Sequence, residues 1–204
     1  MHNGYSFVVT DIETTSLSLV NCGVIEVSML RLGDTSEDAQ KTWWLKPFDT
    51  DIIDPGALRV NGHKLDDLLH KTKEGRDRYA DPVKTIADME NWLANDNAPA
   101  EKRFLLGQNV EFDKSRLEQL WIKCGAKESF PFGRRVMDTM ILELMIDYAK
   151  EQFADSYSLS SLAKKYGVTN SKAHTAAADV LCTKQVFEKQ MELMRKLLKT
   201  EKAD

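Results

Sequence analysis

Cysteine is scarce in this chain: three residues among 204, namely Cys22, Cys124 and Cys182. They are widely spaced and odd in number, with no CxxC. A disulfide-built scaffold is thereby excluded, and reduced thiols are expected. No apolar run is long enough to cross a bilayer. The start, MHNGYSFVVTDIE, lacks both the basic head and the small-residue cleavage site of a secretory signal. A cytoplasmic protein without membrane contact is the expectation. A basic excess is missing too, since 28 Lys and Arg face 32 Asp and Glu for a net charge of −4. That argues against a broad basic face coating nucleic acid. It does not exclude a nuclease, because carboxylates that hold divalent ions count as negative while the ions reverse the local sign.

What is present is a globular balance, 42% hydrophobic and 29% charged, with no repeat and no low-complexity tract. The length suits one domain, so residues 1–204 are read as a single unit. Tyr5 to Thr10, Val24 to Leu32 and Lys41 to Leu45 read as strands, from their β-branched and apolar runs. Arg103 to Leu106 is a fourth strand, and Val136 with its neighbours a short fifth. Helices are expected at Lys64 to His70, after a cap at Asp81 with Pro82, at Phe112 to Cys124 before Gly125, and at Met140 to Tyr148. Two more follow, Ser158 to Tyr166 before Gly167 and Ala176 to Leu198. The charged stretch Lys71 to Arg78 reads as a loop. Three strands followed by alternating helices and strands predict an α/β fold with a mixed sheet flanked by helices.

Three short patterns carry chemistry. Asp11 and Glu13 end the first strand two residues apart, so both face one side and can converge on one point. Hard oxygen donors of this kind suit Mg²⁺ or Mn²⁺. In GQNVEFDKSRL, Asp113 opens a helix just after a strand's carboxyl end, where open α/β sheets build sites. A helix cap is the plainer account of Asp113 alone. In AHTAAADVLCT, His174 precedes Asp179 by five positions, which leaves the two well apart around a helix. They suit separate roles rather than one shared ion. Each pattern alone has an ordinary structural reading.

Together and in this order, DIETT, N-x3-D and H-x4-D resemble the three exonuclease motifs of the DEDDh family, which includes a bacterial proofreading subunit and RNase T. Smaller matches are IDPGALRVNG from Ile53, MDT from Met137 and LSSLAKKYGV from Leu159. The resemblance covers nearly the whole chain. It implies an RNase H-like fold with a five-stranded mixed sheet. It further implies 3′-5′ hydrolysis of nucleic acid with release of nucleoside 5′-monophosphates, and DNA, at single-stranded or frayed ends, is the expected substrate ahead of RNA. Two ions, Mg²⁺ or Mn²⁺, would be held by Asp11, Glu13, Asp113 and Asp179, with His174 as general base. Thr14, Leu17, Asn61, Asn109 and Phe112 would contact the substrate. Three positions depart from the pattern. Ser16 stands where Gly is common, and Gln108 and Asn61 stand where His is common. These bear on the seat of the terminal nucleotide and not on the acids.

Several residues carry two readings. Leu17 either packs on the terminal base or joins the core. Phe112 either stacks on a base or lies beneath the site. Trp43 and Trp44 point to opposite faces of a strand, so one belongs to the core. Phe130, Phe132, Arg134 and Arg135 form either a strand-contact loop or a solvated loop with one anchored ring. Lys164, Lys165 and Lys172 either meet phosphates or are solvated. Met191, Leu193, Met194, Leu197 and Leu198 suit a core or a homodimer contact. An RNA-trimming exoribonuclease and a non-catalytic nucleic-acid-binding adaptor are the alternative functions. No long extension offers a tether to a polymerase, so polymerase association has no support in the sequence.

Overall fold

Side-chain alternation along one central strand organises the molecule. The computed structural model describes residues 4–18, 20–170 and 175–200. Its sheet contains β1 (Ser6–Thr14), β2 (Val24–Arg31), β3 (Gln40–Trp44), β4 (Arg103–Gly107) and β5 (Val136–Asp138) in the order β3-β2-β1-β4-β5. β2 runs antiparallel to β1 and β3, whereas β4 is parallel to both β1 and β5. The five-stranded mixed sheet is as expected. β1 extends to Thr14 rather than Thr10, so Asp11 and Glu13 are strand residues, with a bulge between Glu13 and Thr14.

The helices are α1 (Pro55–Asn61), α2 (Leu65–Leu68), α3 (Lys73–Arg78), α4 (Pro82–Ala94), α5 (Val110–Lys123), α6 (Thr139–Lys150), α7 (Leu159–Tyr166) and α8 (Ala176–Thr200). Asp81 caps α4 by accepting from the Lys84 N–H at 3.1 Å, with Pro82 in the first turn. The expected loop at Lys71 to Arg78 is instead mostly α3. Its high charge misled the reading, because Thr72 accepts from the Gly75 N–H at 2.9 Å and starts a helix. Among the described residues no helix is long and apolar enough to cross a membrane.

Val8 and Ile12 of β1 face one layer, packed with Met89, Trp92, Leu117 and Trp121 of α4 and α5. Val9 faces the other layer, with Val180 and Phe187 of α8. Burial of each such side chain contributes roughly 1.5–3 kcal/mol. By alternation Asp11 and Glu13 share the Val9 face, the one that α8 covers. Trp43 is the buried member of its pair, and Trp44 packs on a separate cluster around Ile25 and Leu58. Phe130 meets Trp121 edge-on at 5.6 Å, and Phe132 is buried. These two rings therefore serve the core and are not free for a strand.

α6, α7 and α8 are joined by a polar hub. Lys165 lies 2.7 Å from Glu143 and 2.6 Å from Asp147, both fully buried acids of α6. The Tyr166 hydroxyl and the Gln190 amide donate to the second Glu143 oxygen at 2.6 and 2.7 Å. Lys165, though partly exposed, is thus committed to two buried acids rather than free for a phosphate. Lys172 lies outside the described residues.

Candidate active site

Gly107 shapes the carboxyl edge of the sheet. A side-chain carbon there would sit 2.8 Å from Val110 and 3.2 Å from the Thr10 carbonyl, so only glycine lets β4 turn this closely into α5. Asn109 follows in a left-handed conformation, φ 55°, which Asn tolerates better than most residues. Asn109 is exposed. The N–H groups of Asn109 and Val110 donate to Asp138 at 3.2 and 2.9 Å. Asp138 also caps α6, accepting from Met140 at 2.8 Å. Sequence reasoning assigned Asp138 no role. Its place in MDT at a strand-to-helix junction is the signal for it.

That turn sets Asp113 on the first turn of α5, where it is buried. Its Oδ1 accepts from the Ile12 N–H at 3.1 Å, midway between Asp11 and Glu13. Asp179 comes from the first turn of α8. One donor oxygen each of Asp11, Glu13 and Asp179 lies within 4.8 Å of the others. The structure therefore brings these three together directly, with Asp113 tied to the backbone between the first two. Asn170 donates to Asp179 Oδ1 at 2.5 Å. His174 lies outside the described residues.

The carboxyls are held against their preference. Burial raises Asp11 well above the usual carboxylate range, and the charges of Asp113, Asp179, Glu13 and Glu26 raise it further. Glu13 is pushed up to about 7, by burial first and then by Glu26 and Asp179, while a hydrogen bond from Asn61 partly offsets this. Burial raises Asp113 too, against the lowering by backbone N–H groups and Arg116. Converging acids in a partly dry site, with hard oxygen donors, fit a divalent cation, which would supply the missing positive charge.

Around the acids, Thr14 is buried and its hydroxyl donates to the Ser16 carbonyl at 3.0 Å. Asn61, at the end of α1, donates to the Thr14 carbonyl at 3.1 Å. Gln108 donates to the Tyr157 carbonyl at 2.6 Å and accepts from Thr139 at 2.6 Å. Leu17 does not join the core. It is 80% exposed just beyond β1. Phe112 is half-buried beneath the Arg116 guanidinium, 3.5 Å from its ring centre. Two residues that no motif flagged stand behind the site. Glu26 is a buried acid in an apolar strand, and His63 Nε2 lies 3.1 Å from it. A lone acid within VIEVSML is a signal that apolar patterning passes over.

A five-stranded mixed sheet flanked by helices is the architecture of the RNase H-like fold, and the clustered acids at its strand and helix ends are a candidate metal-holding site. An exonuclease family model, RNase T, matches residues 8–187, and the chain belongs to that family, as a 3′-5′ exonuclease domain of the DEDDh type. Exonucleases of this kind depend on divalent metal. The chain is 28% identical over 182 residues to a PolC-type DNA polymerase III of Lacticaseibacillus paracasei, covering 87% of this chain and 11% of that protein. A PolC-type polymerase of Thermotoga maritima is 25% identical over 192 residues, covering 85% and 14%. Among solved structures, a zinc-bound E. coli exonuclease I complex with single-stranded DNA superposes with a TM-score of 0.71 at 20% identity. The match covers 94% of this chain and 41% of that one. Exonuclease I of Methylocaldum szegediense gives 0.71 at 17%, covering 95% and 42%. The chain thus spans a small part of the curated relatives and about two fifths of these solved chains.

Proposed function

We propose that this chain hydrolyses DNA from a free 3′ end, preferring single strands, with two divalent ions, Mg²⁺ or Mn²⁺, and releases nucleoside 5′-monophosphates. The observation that carries the reading is the convergence of Asp11, Glu13 and Asp179 within 4.8 Å, with Asp113 bonded to the Ile12 N–H between them. Single-stranded DNA in the related exonuclease I complex supports the substrate class.

Bound divalent ions would polarise the scissile phosphate and make water a stronger nucleophile. Asp11 and Glu13 from one strand face, Asp179 from α8 and Asp113 from α5 would hold them. His174, in the family pattern, accepts the proton from the attacking water, a role that suits an imidazole pKa of roughly 6.5. Asn61 steadies both Glu13 and the Thr14 carbonyl. Leu17 meets the terminal base with its exposed side chain.

The test uses 5′-labelled DNA and RNA oligomers, single- and double-stranded, with Mg²⁺, Mn²⁺ or EDTA. A ladder shortening from the 3′ end of single-stranded DNA, lost in EDTA, is expected. Immediate release of the label, or cutting of a closed circle, would contradict the polarity. Faster digestion of RNA would move the substrate to RNA ends.

A further inference from the structure

An exposed leucine is ordinary by itself. The group that backs Leu17 is not. The Leu17 carbonyl accepts from Arg116 Nη2 at 2.9 Å, and Arg116 is only 5% exposed. Its other arm donates to the Phe112 carbonyl at 3.3 Å and to the Ser115 hydroxyl at 3.0 Å. The guanidinium carbon lies over the Phe112 ring, 3.5 Å from its centre.

Arg116 follows Phe112 by four positions and Asp113 by three, so all share one face of α5. Burying a guanidinium is costly unless its donors are used, and Nε here has no partner. A loop that needed only anchoring is served as well by an apolar contact. An arginine instead grips the backbone carbonyl and leaves the leucine side chain outside. Its rigid two-armed plane fixes Leu17 and Phe112 relative to each other, which a flexible point charge does not.

We infer that Arg116 is a positioning residue, holding Leu17 and Phe112 as a paired apolar seat for the base of the 3′-terminal nucleotide. This rests on the exonuclease reading above and adds the part that sets base engagement. Arg116 touches neither the phosphate nor an ion in this role.

The experiment compares kcat/KM for a single-stranded oligomer ending in an ordinary 3′ nucleotide and for one ending in a stable abasic residue. The ratio cancels any effect of Arg116 on the neighbouring acids, because both substrates meet the same enzyme. Base stacking on a side chain is worth enough for a preference on the order of tenfold or more. Leu17→Ala and Arg116→Met should each shrink the ratio several-fold, and the double variant should shrink it no further. A wild-type ratio in Arg116→Met, or losses that multiply in the double variant, would overturn the inference. A wild-type ratio in Leu17→Ala would overturn it too, by removing Leu17 from the base. The exonuclease reading is judged separately, by ladder polarity and by EDTA. If Arg116→Met does not fold, Arg116→Lys carries the same test, keeping charge and stem but not the two-armed plane.

Discussion

Glu13 and Glu26 stand directly opposite each other across β1 and β2. Like charges in that position destabilise a sheet. Glu26 is turned to His63, whose Nδ1 lies 2.6 Å from the Tyr79 hydroxyl, and Glu13 is left to the cluster with Asp11 and Asp179.

The metal-free protein should lose stability as pH rises. The folded state raises Glu13 from its ordinary 4.5 to about 7, so it keeps a proton that the unfolded chain releases. Stability is then full below about pH 4.5, falls up to 7 and levels off, by at most about 3 kcal/mol for this group. Asp11 and Asp113 push the same way. Acids lowered by partners, such as Asp34 and Asp88, act below this window. Urea midpoints in EDTA from pH 5 to 8 measure it. A flat or rising profile contradicts the prediction, and Glu13→Gln should flatten the slope.

Removing one acid should uncouple stability from activity. Asp11→Ala and Asp179→Ala should each lose nearly all hydrolysis. Each relieves repulsion in the cluster, so their melting points in EDTA should equal or exceed the wild type. Mn²⁺, which raises the wild-type melting point by mass action, should do so far less in either variant. An Mn²⁺ shift of wild-type size in both would remove these acids from metal binding.

His174→Ala should separate rate from metal affinity. A lost general base costs on the order of a hundredfold or more. Binding of Mn²⁺ should be almost unchanged, whereas Asp113→Ala should weaken it. Turnover near the wild type at neutral pH would assign the proton to another group.

Lys165→Met should unfold the protein more readily although Lys165 stands apart from the clustered acids. It leaves Glu143 and Asp147 buried without their cation. Breaking a buried ion pair from one side costs roughly 3–5 kcal/mol, and the partial exposure of Lys165 places this case at the lower end. Thermal unfolding checks it, and Lys165→Arg should recover part of the loss.

Strands and helices with clear periodicity are legible in the sequence, because burial imposes period 2 on β1 and a capped stripe on α4. The order of the acids along the chain was legible because each sits where a strand ends or a helix begins. α3 was not, since six charged or glycine positions carry no apolar stripe and only the Thr72 cap marks its start. The exposure of Leu17 was not legible either, because it depends on a carbonyl held by Arg116 across the fold. Glu26, His63 and the pairing of Lys165 escaped for the same reason. Their partners are far away in sequence, and a buried charge looks like a surface one until its partner is known.

The tie between Ile12 and Asp113 spans about half of the chain, and the meeting of Asp11 with Asp179 most of it. Contacts so distant along the chain form late, after loop entropy has been overcome. On the proposed mechanism, a nascent chain still lacking α8 would have only part of the acid cluster, and so should not cut nucleic acid while it is being made. Hydrolytic competence should therefore appear in refolding with the slowest phase, together with docking of α8 on the sheet.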